Sequence, residues 1–509
     1  MAFGLSRLTQ EDFSGGMFRS GPPQRIPSGG AYDLGNTLID RNGGIFKRGG
    51  SEYRATAFGA GLRLIWDGWL ASGQTTLVAS TTAFGKLAAG AVTNLGGPGL
   101  SQAGRPAAYE GKVYMPGGFT YDGTTVGAAA VTAPYYAVVA NRLLAASGSR
   151  VQFSVIGDPT KFEALDFHEL PGGVEILGIE GLRASAAVFT TAGVWVIGGL
   201  ARNLVDAEGN VQQSLDLYSQ DLVLWGSGGI AAWEGALIVP STEAVYLLSL
   251  GVSSEHAQSF VRISDPIVDL YQDYVRSGYA PGQAAVHQNH YLLPIIGAGD
   301  VIDVLVCRLD ATNSRGQRTY PWTHLGGSAA KLAALTTRII SGFSRTPELL
   351  GALYGVDSRP VTLYYFQPTA NSELDHDGTI PNWTITTRAY PTGNNVPNTV
   401  TKLKVRYQLT GPNDPTLSCG VSTESPVGAK GAATWGNVSW GQFSWATPSA
   451  QTFELLAGEA PEDHDGSAPY SWHPRKKVRY IQFRLSSHDA TSQLAIRSLE
   501  VSVRLQGRT

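Results

Sequence analysis

The chain has 509 residues, with 38 Lys and Arg against 41 Asp and Glu, so its formal charge is −3 and no overall field draws in nucleic acid. Charged residues make up only 16%, while 62 glycines accompany 43% hydrophobic and 10% aromatic residues, which excludes a disordered chain and favours many short strands. Charge this sparse on so long a chain fits a surface partly covered by partners.

Residues 11–50, "EDFSGGMFRSGPPQRIPSGGAYDLGNTLIDRNGGIFKRGG", carry four Gly-Gly pairs at 15–16, 29–30, 43–44 and 49–50. A dinucleotide fingerprint needs a strand, then G-x-G-x-x-G, then a helix start. These doublets lack that spacing, no Walker lysine follows, and prolines interrupt the segment. The stretch reads as an extended arm ending in a hairpin, with "DRNGGIFKR" turning between Leu38-Ile39 and Ile45-Phe46.

From residue 62 one theme recurs: an apolar strand, a Gly, Asn or Ser turn, and a second apolar strand. It appears as "LRLIWDGWLASGQTTLVAS", "AAYEGKVYMPGG", "YAVVANRLLAASG", "AAVFTTAGVWVIGG", "GIAAWEGALIVPS" and "QAAVHQNHYLLPI", and more weakly as "ALYGVDSRPVTLYYF". The turns supply residues that tolerate positive φ. Their spacing averages close to one four-stranded blade, about 40–50 residues. Six or seven such units predict a degenerate β-propeller over residues 51–370, with a pair of stacked β-sandwiches as the alternative. One helix is expected, at 264–278, capped by Ser264 or Asp265, with Ile267, Leu270, Tyr271, Tyr274 and Val275 forming an apolar stripe and Gly278 ending it.

The polar stretch 368–382 marks a boundary before a C-terminal antiparallel β-sandwich, 371–509. There "TKLKVRYQL" alternates Leu403, Val405, Tyr407 and Leu409 with Lys402, Lys404, Arg406 and Gln408, and "SLEVSVRL" alternates likewise. The whole is all-β: an extended arm at 1–50, a propeller and a sandwich.

Candidate chemistry is thin. Cys307 and Cys419 form neither a metal knuckle nor a disulfide framework. His287 and His290, three apart across a strand and turn, need not share a face. Asp375-His376-Asp377 and Asp463-His464-Asp465 read as solvated loops, so no metal, cofactor or catalytic residue is assigned. There is no G-x-S-x-G elbow. Trp435, Trp440 and Trp445 could stack sugars, but their spacing of five favours packing. The basic segment "HPRKKVRY", 473–480, and the Lys402/Lys404/Arg406 face are candidate phosphate contacts without a sequence-reading motif. The N-terminus lacks the apolar core of a secretory signal, and no apolar run approaches a membrane span, so a soluble protein of the reducing cytoplasm is expected.

Several stretches taken in order resemble one family. They are the "DFSGGM" opening with "NGGIFKRGG", "RVQFSVIGDPTKFEALDF" at 150–167, the helix "ISDPIVDLYQDYV", "AAVHQNHYLLPI" through "TYPWTHLGG", and the closing "RYIQFRLSSHDATSQLAIRSLEVSVRL". Their order is similar to the tail hub or nozzle proteins of short-tailed bacteriophages, also called packaged-DNA stabilisation proteins. The resemblance implies a non-enzymatic virion protein, made in the host cytoplasm, that assembles with itself as a six-fold ring. Such a ring lies beneath portal and adaptor proteins, continues the DNA channel, retains the packaged double-stranded genome without reading its sequence and carries fibres or spikes. A receptor-binding or glycan-degrading tail protein built on the same propeller is the alternative, and a cellular propeller scaffold is a third.

Overall fold

The structure is a computed structural model and describes residues 5–10, 12–48, 51–88, 91–97, 99–100, 104–182, 184–202, 212–249, 259–297, 301–325, 332–339, 347–353, 360–366, 383–392, 398–410, 417–423, 454–456, 470–478, 480–487 and 493–504. Two compact units emerge. One comprises 51–305 and 328–366, the other 1–50, 306–327 and 367–509.

In the first unit, consecutive strands pair antiparallel into separate sheets. Four-stranded blades run over 62–97, 107–128, 135–169, 176–219 and 231–262. A sixth set holds the hairpin Ala285–His287 and His290–Ile296 followed by residues 301–305 of the next strand. The seventh is made of Leu332–Ile339, Pro347–Leu353 and Pro360–Phe366, and its outermost strand is Ser51–Ala60 from the start of the unit. Inner strands neighbour one another around the ring, the seventh set beside the first. The unit is a seven-bladed β-propeller.

Four of the quoted hairpins share one turn. Glu110-Gly111, Ala140-Asn141, Glu234-Gly235 and Gln288-Asn289 all have positive φ at both central residues, the two-residue I′ geometry that matches strand twist. The residue before the turn also reaches the next blade. Tyr109 donates from its hydroxyl to the carbonyl and side-chain oxygens of Asn141 at 2.7 and 2.9 Å, and Trp233 Nε1 donates to Asn289 Oδ1 at 3.1 Å. One pattern thus links the second blade to the third and the fifth to the sixth.

Apolar cores lie between blades rather than at one centre. Leu64, Leu77 and Phe84 of the first blade pack on Val113, Met115, Phe119 and Tyr121 of the second, with the Phe84 and Phe119 rings edge to face at 5.1 Å. Similar clusters join the second to the third, the third to the fourth and the fourth to the fifth.

The helix forms over Val268–Arg276 behind a short 3₁₀ turn at Asp265–Ile267 and ends at Gly278 with φ +73°. Of its expected stripe, Ile267 and Tyr271 are fully buried. The expected cap Ser264 does not close it by a side-chain bond, since its hydroxyl instead accepts from the Val245 amide at 2.9 Å.

The second unit is a sandwich, and here two boundaries need correction. Residues 1–50 do not form a separate arm: Leu5–Gln10 pairs with Gln493–Arg504, and Gly30–Gly35 pairs with Trp383–Thr387. Phe13, Met17, Leu34, Leu38 and Ile45 are buried within this unit. Residues 306–327 also belong here rather than to the propeller, with His324 registering parallel to Gly35. The reason is pairing between segments hundreds of residues apart, which local pattern does not encode. The glycine doublets serve close approach. Gly16 pairs with Gly30, the Gly15 amide donates to the Gly29 carbonyl at 2.9 Å, and a Cβ on Gly15 would lie 2.9 Å from that oxygen. The Leu38–Ile45 hairpin forms as expected.

Gln10 ties the two sheets of the sandwich, donating to the Gly30 carbonyl at 3.2 Å and accepting from the Tyr390 hydroxyl at 2.9 Å. A charge cluster adds to this: Asp33 Oδ1 lies 2.8 Å from Arg19 and 3.2 Å from His324 Nε2. Burial pushes the Asp33 carboxyl up, but His324 and Arg19 outweigh it and hold the group well below the usual carboxylate range.

No helix among the described residues is long and apolar enough to cross a membrane. Because the cores are interfacial, Phe84→Ala is expected to destabilise the protein by about 3–5 kcal/mol. Trp69→Ala, at a residue that is 56% exposed, should change stability by less than about 0.5 kcal/mol. Urea midpoints of the two variants provide the check.

Candidate functional site

Two features of the described residues gather chemistry. The first is the axis of the propeller, where inner strands and the loops before them meet. They enclose a cavity of about 640 Å³. Arg105, at the entry to the second blade, crosses this space. Its guanidinium donates to the carbonyls of Ser227 and Ile230 at 3.1 and 2.9 Å and lies 2.6 Å from Glu180 of the fourth blade. Gln283, before the sixth set, grips the first blade by accepting from the Ile65 amide at 2.9 Å and donating to the Ile65 carbonyl. The loop Gly226–Gly229 packs closely on Pro281 and Gly282: a Cβ on Gly226 would meet Pro281 Cγ at 2.7 Å, and one on Gly228 would meet the Gly282 oxygen at 2.8 Å.

The second feature is one face of the sandwich. Strand Asn398–Thr410 pairs with Gln493–Arg504 over eleven registers, with bulges after Val400 and Arg406. The first bulge skips Thr401, so Val400 stays opposite Val503, while Lys402, Lys404 and Arg406 come opposite Ser502, Glu500 and Ser498. Leu403, Val405 and Tyr407 are buried as expected, which leaves the three cations on the outer face. Arg504 continues that face, and Arg7 joins it from the neighbouring strand, 3.4 Å from Glu500. Five cations therefore flank one acid. The other basic stretch arrives beside them, because strand Lys476–Val478 pairs with Asn398–Val400.

The remaining sequence candidates resolve differently. His287 and His290 are directly paired across their I′ turn, so they share a face, a point that their spacing alone left open. Both are buried, and His287 Nδ1 has no hydrogen-bond partner among the described residues. No group of three or more His, Cys, Asp or Glu side chains among the described residues could hold a metal. Cys307 and Cys419 are free and buried, and burial pushes both thiols up. Asp375-His376-Asp377, Asp463-His464-Asp465 and Trp435, Trp440 and Trp445 lie outside the described residues. Sequence reasoning missed Arg63, Arg105, Glu180 and Gln283. Each is isolated in sequence, and only the ring brings them together.

No family model matches the chain, and no curated protein sequence does. Among solved structures it is similar to Chaetomium thermophilum Raptor at 10% identity and TM-score 0.40, over 64% of this chain and 29% of that one. It is also similar to the Neurospora crassa Pan2 WD40 domain at 9% identity and TM-score 0.33, covering 61% of this chain and 90% of that one. The N-terminal domain of Nup159 matches at 9% identity and TM-score 0.32, over 66% and 84%. The chain spans less than a third of the Raptor chain. The propeller assignment stands on the strand pairing described above.

Burial lowers the His287 pKa from its ordinary 6.5 to about 4. Between these values the unfolded chain takes up a proton that the native chain refuses, so stability falls as pH drops from about 6.5 to about 4, by up to about 3 kcal/mol. Urea midpoints measured across that window should show this slope, and His287→Gln should flatten it.

Proposed function

We propose that the chain is a non-enzymatic structural subunit of a bacteriophage tail, a hub or nozzle protein whose copies form a ring around the path of the genome. The observation that carries this reading is the outer sandwich face, where Arg7, Lys402, Lys404, Arg406 and Arg504 flank Glu500, the one acid among the described residues there. Such a face attracts phosphates without reading bases, which suits duplex DNA that must be held and later released. A net charge of −3 over the whole chain keeps that attraction local.

Two further observations support the reading. Large apolar side chains are exposed on the propeller, Leu217, Phe260 and Val261 on outermost strands and Ile302 in the sixth set, a surface that neighbouring copies would cover. The propeller axis, crossed by Arg105 and Gln283, is too small for a duplex. In this reading the DNA path runs along the centre of the ring of copies. Portal or adaptor proteins and fibres or spikes would dock on the ring, placing the protein in the virion tail.

Purified protein should form closed rings in electron micrographs and bind duplex DNA in a salt-dependent manner. Lys402→Glu/Lys404→Glu/Arg406→Glu should lessen the slope of log affinity against log salt by about 3 and weaken binding at low salt by more than about tenfold. A monomer that ignores DNA at low salt, or one that releases sugar fragments from host polysaccharide, contradicts the proposal. The second outcome favours the glycan-degrading alternative.

A further inference from the structure

The axial cavity of the propeller carries a positive charge that no described side chain answers. Of its two arginines, Arg105 is already engaged by Glu180 and two carbonyls. Arg63 lines the same cavity from the inner strand of the first blade. Its Nε is buried with no hydrogen-bond partner, and it makes no ion pair among the described residues. Among the described residues no Asp or Glu lines the cavity. A guanidinium partly withdrawn from water calls for an acceptor, and a carboxylate matches its planar fork.

Much of the rest of the wall is apolar, with Ile65, Trp66, Ile230, Val286, Ile296 and Leu335. The Trp66 ring lies over Gly68, where a Cβ would come within 2.4 and 2.6 Å of two of its ring atoms. An apolar wall with one unanswered charge, enclosing about 640 Å³, falls in the size range of small-ligand sites.

We propose that this cavity binds an organic monocarboxylate with an apolar body, either a free small molecule or the C-terminal carboxylate of a peptide, with Arg63 as its anchor. Phosphate suits it less, because a dianion needs a second uncompensated cation and Glu180 already balances Arg105. The site is independent of the tail reading and stands whether or not copies of the chain form a ring.

Titration calorimetry on the full chain tests this with four probes: hexanoate, a leucine-terminated tetrapeptide, the same peptide as its C-terminal amide, and inorganic phosphate. Both free carboxylates should bind, with the amide and phosphate at least about tenfold weaker, roughly the 1.4 kcal/mol that a tenfold change represents. The tighter of the two carboxylates identifies the source. Arg63→Met should weaken both by at least about tenfold, while Arg63→Lys keeps part of the affinity. Should Arg63→Met fail to fold, Arg63→Gln removes the charge and must show the same loss. Unchanged affinity in the charge-removing variants, equal binding of the amide, tighter binding of phosphate, or no heat from either carboxylate up to about 10 mM would each overturn the assignment.

Discussion

The propeller depends on one long-range pairing. Strand Ser51–Ala60 leaves the start of the unit and completes the last blade beside Pro360–Phe366, some 300 residues later in the chain. Each blade has two apolar faces, and the buried clusters lie between neighbours, so no blade can bury its core alone. Closing the circle gives the first and last blades their missing neighbours and removes exposed edges at the seam. The cost of closing so long a loop grows only slowly with its length, whereas the area buried at the seam does not depend on it.

Closure also builds the axial site. Seven inner strands converge on one line, and their side chains meet there from positions far apart in sequence. Arg105 reaches residues of the fourth and fifth blades, and Gln283 reaches the first. The polar struts satisfy backbone groups that water would otherwise have to reach, and they leave Arg63 as the cavity's unanswered cation. In the sandwich a smaller device has a comparable effect. The bulge at Thr401 absorbs one residue so that Val400 still faces inward while Lys402, Lys404 and Arg406 face out.

Local features were legible in the sequence. The Glu-Gly and Asn-containing turns announced four hairpins, because few residue pairs tolerate two successive positive φ values. Alternation in 402–407 reported a buried face directly, and the stripe in 267–275 contained the two buried residues Ile267 and Tyr271. What was not legible depends on partners distant in sequence. The first fifty residues read as an arm because their glycines and prolines lack periodicity, yet they are strands whose partners lie in 383–387 and 493–504. The excursion of 306–327 into the sandwich unit left no local mark, since "TYPWTHL" reads equally well as a blade strand. The shared face of His287 and His290 depends on turn length: a two-residue turn makes positions three apart direct neighbours across a hairpin.

Hydrogen exchange on the intact chain tests the closure most directly. If the ring is held by its first strand, the paired amides of 51–60 and 361–366 should exchange only through an opening as costly as that of 143–146 and 186–190, on the second strands of the third and fourth blades. Rapid local exchange at 51–60 with 143–146 and 186–190 still protected would show that the circle is not held at this seam.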